Sequence, residues 1–139
     1  MQLNITLMEN KLNKSEEEWK KVLSPAQYHV LREKGTERPF TGEYENNYAP
    51  GDYVCAGCGQ LLFHSTTKFN AGCGWPSFYR EAAKGNIKET PDYSFGRVRT
   101  EITCSKCDGH LGHVFEDGPE ETGLRYCVNS LSIKFIPKG

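Results

Sequence analysis

The six cysteines of this 139-residue chain fall into two different settings. Four of them form two CxxC pairs, CAGC at residues 55–58 and CSKC at residues 104–107. The other two are single: Cys73 lies between two glycines, and Cys127 lies two residues from both Arg125 and Asn129. Paired CxxC turns are typical of a tetrahedral metal site, whereas single cysteines beside Arg, Trp or Asn are typical of redox or nucleophilic chemistry. The chain is therefore predicted to contain one site for stability and another for reaction.

The two CxxC pairs predict a structural zinc site with one ion per chain, formed by Cys55, Cys58, Cys104 and Cys107. Because 46 positions separate the last cysteine of one pair from the first of the other (104 minus 58), the ion would join two distant hairpins. Four thiolates leave no open position for water or substrate. The alternatives are an iron centre, which usually needs a further cysteine nearby, a redox dithiol, and an all-disulfide framework, which rarely contains two CxxC turns.

Composition and charge argue against several other classes of function. The 17 basic and 18 acidic residues give a net charge of -1, and the scattered basic residues form no footprint for nucleic acid or anionic lipid. The first twelve residues lack the features of a secretory signal, and no 18-residue apolar stretch occurs. We expect a cytoplasmic protein without nucleic-acid or membrane partners, with a flexible terminus over residues 1–14 and a single domain over residues 15–139.

Local patterns predict two short helices followed by antiparallel strands. Capping boxes begin the helices at Ser15 and Ser24, and Gly35 is expected to end the second helix. From residue 38 onward, glycine, proline, aromatic and β-branched residues broken by turns indicate short antiparallel strands. Alternation predicts a half-buried strand over residues 95–104, with Arg97, Arg99 and Glu101 on one side, and a single strand over residues 125–136.

Cys127 has the chemical surroundings of a nucleophile. In an extended strand, Arg125, Cys127 and Asn129 project from the same face. Arginine favours the thiolate, and asparagine can hydrogen-bond a substrate oxygen or orient a neighbouring imidazole. The alternative interpretation is a small buried side chain, which is the commonest setting of a free cysteine.

The sequence HLGHVF at residues 110–115 places two imidazoles just after the second CxxC pair. His110 and His113 would point to opposite faces of a regular strand, but Gly112 permits a bend that brings both to one pocket. The rival interpretation is a metal-binding HxxH. Because four cysteines already satisfy the metal, the histidines are left free to transfer protons near neutral pH.

The sequence GCGWPSF at residues 72–78 surrounds Cys73 with mobile backbone and aromatic side chains. Glycines on both sides would let Cys73 travel to another sulfur. Trp75 offers a flat apolar wall that, with Phe78 or Phe115, would hold a small apolar group such as a methyl. The alternative is an aromatic core cluster, which is at least as common.

Four sequence blocks together resemble methionine-R-sulfoxide reductase B (MsrB): GCGWPSF, HLGHVF, DGP at residues 117–119 and RYCVNS at residues 125–130. The resemblance implies a mainly β fold of two antiparallel sheets braced by zinc, a β-tent or Mss4-like fold, with short N-terminal helices. It implies a thioredoxin-dependent monomer that reduces methionine-R-sulfoxide in oxidised proteins. By position, Cys127 would be the nucleophile, Cys73 the resolving cysteine and Trp75 a wall around the substrate methyl. The proton would be managed by His110 and His113, supported by Asp117 and Asn129.

The implied chemistry is consistent with the residues. A thiolate attacks the sulfoxide sulfur while an acid protonates the departing oxygen, and the resulting sulfenic acid condenses with a second thiol. No organic cofactor is needed, in agreement with the lack of a glycine-rich phosphate loop. Two other classes of function stay open. One is a non-catalytic zinc-ribbon interaction module, and the other is a different thiol-dependent enzyme, such as a lyase or peroxidase, on the same scaffold.

Overall fold

The computed structural model of the protein describes residues 14–138. Helices α1 (Glu16–Val22) and α2 (Pro25–Glu33) come first, and each begins with the predicted capping box. Lys34 ends α2 in the left-handed conformation with φ 59, so the helix terminates one residue before the expected Gly35. The predicted flexible terminus lies outside the described residues except for Lys14, and the single domain over residues 15–139 stays a prediction.

Residues 14–138 contain nine β-strands in two antiparallel sheets. The three-stranded sheet has the order β2-β1-β9 and consists of β1 (Gly51–Cys55), β2 (Leu61–His64) and β9 (Ile133–Pro137). The six-stranded sheet has the order β3-β4-β8-β7-β6-β5 and consists of β3 (Lys68–Phe69), β4 (Ser77–Phe78), β5 (Ile87–Asp92), β6 (Arg99–Cys104), β7 (His110–Phe115) and β8 (Arg125–Val128). The predicted fold class, mainly β with two antiparallel sheets and short N-terminal helices, is confirmed.

The core lies where aromatic side chains from both sheets meet. Phe63 of the small sheet stacks on Phe78 of the large sheet with ring centroids 4.2 Å apart, and Tyr53 packs edge-on against Phe78 at 5.1 Å. All three side chains are fully buried. Burial of aromatic area on this scale is a main source of stability in a domain of this size. Within the described part of the chain, no helix is both long and apolar enough to traverse a bilayer.

Strand β6 differs from its prediction in where it begins and in how far it is buried. It begins at Arg99, because residues 94–96 form a short 3-10 turn, and Val98 is 73% exposed. Glu101 and Ile102 are both buried, so this strand is covered on both faces and the half-buried prediction was wrong. The polar face is covered because Glu101 forms an ion pair with Lys34 and a hydrogen bond with His110.

The predicted single strand over residues 125–136 was also wrong. Strand β8 ends at Val128, a 3-10 turn covers Ser130–Ser132, and β9 then belongs to the other sheet. The turn is fixed at Asn129, whose backbone N–H donates to the Leu111 carbonyl at 2.9 Å. This crossover brings the residues after Cys127 from one sheet to the other.

Candidate active site and metal centre

Four cysteines form a compact cluster between the two sheets. The Sγ atoms of Cys55, Cys58, Cys104 and Cys107 all lie within 4.8 Å of one another. The closest pairs are Cys58 with Cys104 at 3.5 Å and Cys55 with Cys107 at 3.6 Å. This cluster, called the cysteine cluster below, offers four converging sulfur ligands and can hold a metal ion.

The two CxxC turns have matching backbone geometry. The Cys55 carbonyl accepts from the Gly59 N–H, and the Cys104 carbonyl accepts from the Asp108 N–H, each at 2.8 Å. Gly59 and Asp108 occupy the same position in their turns and both have positive φ, 83 and 62 respectively. One turn joins β1 to β2 and the other joins β6 to β7, so an ion in the cysteine cluster would cross-link the two sheets.

The N-terminal helices cover the cysteine cluster. Arg32 of α2 donates to the Cys107 carbonyl at 2.7 Å, and its guanidinium lies 4.6 Å from the ring centroid of the buried Trp19. A side chain at Gly57 would meet the Trp19 ring at 3.1 Å. Three of the four cysteines are buried, and Cys58 is half-buried.

Cys73 and Cys127 form a second and separate sulfur site. Their Sγ atoms are 3.6 Å apart, and both cysteines are free thiols. Cys73 lies in the loop before β4, where Gly72 and Gly74 have positive φ of 71 and 94. Strand β4 then pairs with β8 so that Ser77 lies opposite Cys127. The loop and the strand pairing together bring two cysteines 54 positions apart into contact.

A cavity of about 390 Å³ opens above this cysteine pair. Its lining includes Cys127 but not Cys73, so the two sulfurs have different access. The other lining residues are Thr36, Trp75, Arg97, Arg99, His110, Gly112, His113, Phe115, Arg125, Val128 and Asn129. The structure thus brings most of the predicted reactive residues to one cavity.

The contact between the two thiols shifts their pKa values in opposite directions. The hydrogen bond with Cys127 lowers the pKa of Cys73 to about 5. The same contact, together with burial, raises the pKa of Cys127, and the Arg125 guanidinium opposes that effect. The pair therefore loses its first proton well below pH 7 and holds the second one tightly. Arginine alone was expected to make Cys127 a thiolate, whereas here the neighbouring sulfur outweighs it.

A β-bulge brings His110 and His113 to the same face of β7. Thr103 of β6 pairs with His110 and Ile102 pairs with Gly112, so Leu111 is an extra residue in β7. The extra residue changes the alternation, and the two imidazole centroids lie 5.7 Å apart. A side chain at Gly112 would collide with the Cys127 carbonyl, which explains the glycine in this motif.

Each imidazole has a carboxylate partner. His110 Nδ1 lies 2.7 Å from the buried Glu101 carboxylate, and burial lowers the pKa of His110 despite this partner. His113 Nε2 lies 2.7 Å from Asp92 at the end of β5, and this hydrogen bond lowers the pKa of Asp92. His113 is also the cross-strand neighbour of Cys127.

Arg125 is held in place by two contacts. Its guanidinium donates to both carboxylate oxygens of Asp117, at 2.8 and 3.1 Å, and lies 4.4 Å from the ring centroid of Phe115. The arginine lowers the pKa of Asp117, and the carboxylate raises the pKa of Arg125. Asp117 therefore contacts the arginine and makes no described contact with either histidine of the cavity.

Other predicted residues lie in different settings. Trp75 lines the cavity and donates from Nε1 to the Glu37 carbonyl at 3.0 Å. Phe78, predicted as a second wall, lies in the aromatic core and does not line the cavity. The Asn129 side chain donates to the Leu111 carbonyl at 3.0 Å and accepts from the Glu37 N–H at 3.0 Å, so its amide is used within the protein.

Three residues of the site were not predicted from the sequence. Asp92 and Glu101 are the carboxylate partners of the histidines, and the backbone of Glu37 binds both Trp75 and Asn129. Glu101 follows Arg97 and Arg99 at intervals of two residues, and a polar face on a strand next to the histidine strand was a usable signal. Asp92 and Glu37 lie far from the histidines and cysteines in sequence, and no local pattern identifies them.

Comparison with known proteins supplies the family. The SelR domain model matches residues 23–137. A Bradyrhizobium diazoefficiens protein named peptide methionine sulfoxide reductase MsrB is 59% identical over 130 residues, 94% of each chain. The chain belongs to the MsrB family. Relatives of the same name come from Cellvibrio japonicus, 62% identical over 115 residues (83% of this chain, 82% of the relative), and Methanosarcina mazei, 57% identical over 129 residues (93% and 92%).

MsrB membership covers the whole of both sulfur sites. The cysteine cluster and the Cys73–Cys127 pair all fall inside the matched residues 23–137. The resemblance drawn from four short sequence blocks is thereby confirmed at the level of the family.

Proposed function

We propose that this MsrB-family chain is a peptide-methionine (R)-S-oxide reductase with Cys127 as nucleophile and Cys73 as resolving cysteine. The observation that carries the proposal is the 3.6 Å contact between the two Sγ atoms beside a cavity that Cys127 lines and Cys73 does not. A sulfoxide that enters the cavity meets Cys127 first. Cys73 lies behind it, within reach of a later disulfide.

The first step requires a thiolate at Cys127. The two sulfurs, 3.6 Å apart, can share one proton, and its transfer to Cys73 as the substrate binds gives the thiolate at Cys127. Arg125 stabilises the charge that then develops on Cys127. This transfer also leaves Cys73 as the neutral thiol that the second step needs.

The Cys127 thiolate attacks the sulfoxide sulfur while the oxygen takes up one proton. The products are methionine and a sulfenic acid on Cys127, so the enzyme sulfur is oxidised by two electrons and the substrate sulfur is reduced by two. The Cys73 thiol then condenses with the sulfenic acid to give the Cys73–Cys127 disulfide and water. An external dithiol, thioredoxin, reopens the disulfide by thiol–disulfide exchange.

His113 supplies the proton for the sulfoxide oxygen. It lies opposite Cys127 on the neighbouring strand, and its Nε2 is fixed by Asp92 at 2.7 Å, which leaves Nδ1 for the substrate. The Asp92 carboxylate fixes the orientation of the His113 ring through this hydrogen bond. Burial favours the neutral form of His110, which serves the shape of the cavity.

The cavity walls account for the choice of epimer. Trp75 and Phe115 supply apolar surface for the substrate methyl, His113 receives the oxygen, and Cys127 fixes the direction of attack. With the methyl, the oxygen and the attacking sulfur each at a different fixed position, one handedness is defined at the substrate sulfur. Placing the oxygen of the S epimer at His113 would move its methyl away from the apolar walls.

The cysteine cluster would hold one structural zinc ion. A tetrahedral zinc centre with Zn–S bonds of about 2.3 Å has its sulfurs about 3.8 Å apart, and the closest observed separations of 3.5 and 3.6 Å fit that arrangement. Such an ion supplies a cross-link between the sheets, because four thiolates leave no position for substrate. We further propose a cytoplasmic location, since reduced thiols are needed at both sites. We also propose a monomer with one catalytic domain over residues 15–139.

The direct test is a stereospecific assay of the purified protein. With dithiothreitol, it is expected to reduce a methionine-R-sulfoxide peptide and to leave the S epimer unchanged, as followed by chromatography of the peptide. Equal rates on the two epimers, or no reduction of either, would contradict the proposal.

A further inference from the structure

The cavity above Cys127 has more positive charge than the reaction uses. Three guanidinium groups line it, those of Arg97, Arg99 and Arg125. No aspartate or glutamate of the described chain lines it. The sulfoxide is uncharged, so catalysis at the sulfur does not require three cations.

Two of the three arginines are engaged by carboxylates of the protein. Arg125 forms a bidentate pair with Asp117, and Arg99 Nη2 lies 3.4 Å from Asp92. Arg97 is exposed, and within residues 14–138 its side chain has no hydrogen bond or ion pair. The wall therefore contains one uncompensated cation that solvent and substrate can reach.

Arg97 lies at the edge of the cavity. It follows the 3-10 turn Ser94–Gly96 in the loop that joins β5 to β6, and it is an exposed residue that still lines the cavity. A methionine sulfoxide whose sulfur reaches Cys127 leaves its peptide backbone at the cavity mouth. Adjacent residues lie only about 3.8 Å apart along the chain, so the neighbours of the substrate methionine pass close to this arginine.

We propose that Arg97 is a specificity-determining residue that binds the carboxylate of an Asp or Glu next to the methionine sulfoxide in a peptide substrate. The inference rests on the proposed reductase function. A guanidinium matches a carboxylate with two parallel hydrogen bonds, which makes arginine well suited to this task. Because the pair is exposed, the expected preference is about two- to fivefold in kcat/KM, the range of a surface ion pair.

The test compares six-residue R-sulfoxide peptides that differ only at the two neighbours of the substrate methionine, which are both Glu, both Gln or both Lys. Their ends are acetylated and amidated, so the Glu peptide has no other carboxylates. For the wild-type protein, kcat/KM is expected to fall in the order Glu, Gln, Lys, and the differences are expected to shrink at 0.5 M NaCl. Arg97→Gln is expected to remove the preference for Glu over Gln, and Arg97→Glu is expected to reverse the order.

Arg80→Gln is the matched control, since Arg80 is exposed and does not line the cavity. This substitution changes the net charge by the same amount as Arg97→Gln. It is expected to keep the wild-type order. Equal kcat/KM for all three peptides in the wild-type protein, or the same loss of preference in Arg80→Gln, would overturn the inference. The inference would also be overturned if Arg97→Gln changed only the preference for N-acetyl-methionine-R-sulfoxide over its amide, because Arg97 would then bind the α-carboxylate of the substrate. Reduction of none of the peptides would instead count against the proposed function itself.

Discussion

The cysteine cluster and the Cys73–Cys127 pair are built from the same side chain at nearly the same spacing. The closest sulfurs are 3.5 and 3.6 Å apart in the first site and 3.6 Å apart in the second. What differs is access. Three cysteines of the cluster are buried and Cys58 is half-buried, whereas Cys127 faces a cavity of about 390 Å³. We infer that the thiols of the cluster serve as metal ligands and that the thiol at the cavity serves as a reagent.

Each sulfur site also has an arginine, and the two arginines are used differently. Arg32 lies over Trp19 and donates to a main-chain carbonyl of the cysteine cluster, so it fixes the backbone. Arg125 lies over Phe115 and is oriented by Asp117, so its charge is directed at the cysteine pair. The first arrangement predicts effects on stability and the second predicts effects on reactivity.

The largest expected effect is the loss of a cysteine from the cluster. Cys104→Ser is expected to lose bound zinc and to unfold, because zinc binding at such sites is worth about 10–16 kcal/mol, as large as the stability of a whole domain. Elemental analysis and thermal unfolding followed by circular dichroism measure both. Cys73→Ser is the control and is expected to keep its metal and fold. A Cys104→Ser protein with wild-type zinc content and melting temperature would show that the cluster is not a brace.

The next largest effect separates the two members of the open pair. Cys127→Ser is expected to lower the reduction rate more than about 1,000-fold with any reductant, because it removes the nucleophile. Cys73→Ser is expected to keep turnover with dithiothreitol, since the hydrogen bond that raises the pKa of Cys127 is gone, and to lose turnover with thioredoxin. Undiminished thioredoxin-driven turnover of Cys73→Ser would exclude the resolving role.

A smaller effect is expected at the carboxylate behind His113. Asp92→Asn is expected to lower kcat by about 10- to 100-fold and to leave KM nearly unchanged, because a general acid contributes about 10²–10⁴ and Asp92 only supports it. A wild-type kcat in Asp92→Asn would show that the action of His113 does not depend on this carboxylate.

The pKa of the cysteine pair provides the next test, with an expected shift of about one unit. The pKa of Cys73 is lowered to about 5, so its thiolate is present above that pH and is lost as the pH falls through it. The rate at which iodoacetamide alkylates the pair, measured by mass spectrometry of the two cysteine peptides, is expected to be constant between pH 6 and 8. Arg125→Met is expected to raise the midpoint of the rate against pH by about one unit. Arg80→Met is expected to leave this midpoint unchanged. A wild-type midpoint near the ordinary thiol value of about 8.5 would contradict the polarised pair.

The smallest effect is expected at the arginine of the cysteine cluster. Arg32→Ala removes the bond to the Cys107 carbonyl and the stacking on Trp19, and is expected to lower the free energy of unfolding by about 1–3 kcal/mol. Urea denaturation measures this change. The rate of sulfoxide reduction in the folded protein is expected to stay at the wild-type value. A variant with wild-type stability but lower turnover would reverse the contrast between Arg32 and Arg125.

The local features of the fold were predictable because they depend on near neighbours in the chain. Both capping boxes and the pairing of the CxxC turns follow from spacings of three residues, and the structure reproduces them. The β-bulge at Leu111 and the sheet change after Val128 were not predictable, because they depend on which strands become neighbours. A strand pattern is continuous across residues 125–136 even though the chain turns in the middle.

The same distinction applies to the site. The reactive residue types were visible in sequence, but the supporting role of Asp117 was implied only by the family resemblance. Asp117 was expected to support the histidines and instead binds Arg125, while Asp92, 21 positions from His113, takes that place. The pairing of Asp92 with His113 arises from the register of β5, β6 and β7, which no short motif encodes.

The division between a structural cluster and a reactive pair is tested most directly by mapping the oxidised enzyme. The zinc-loaded protein is mixed with excess methionine-R-sulfoxide peptide without reductant, alkylated, and analysed by peptide mass spectrometry together with its zinc content. A single Cys73–Cys127 disulfide with one zinc retained and the other four cysteines reduced is the predicted result. A disulfide between Cys127 and any cysteine of the cluster, with release of zinc, would contradict it.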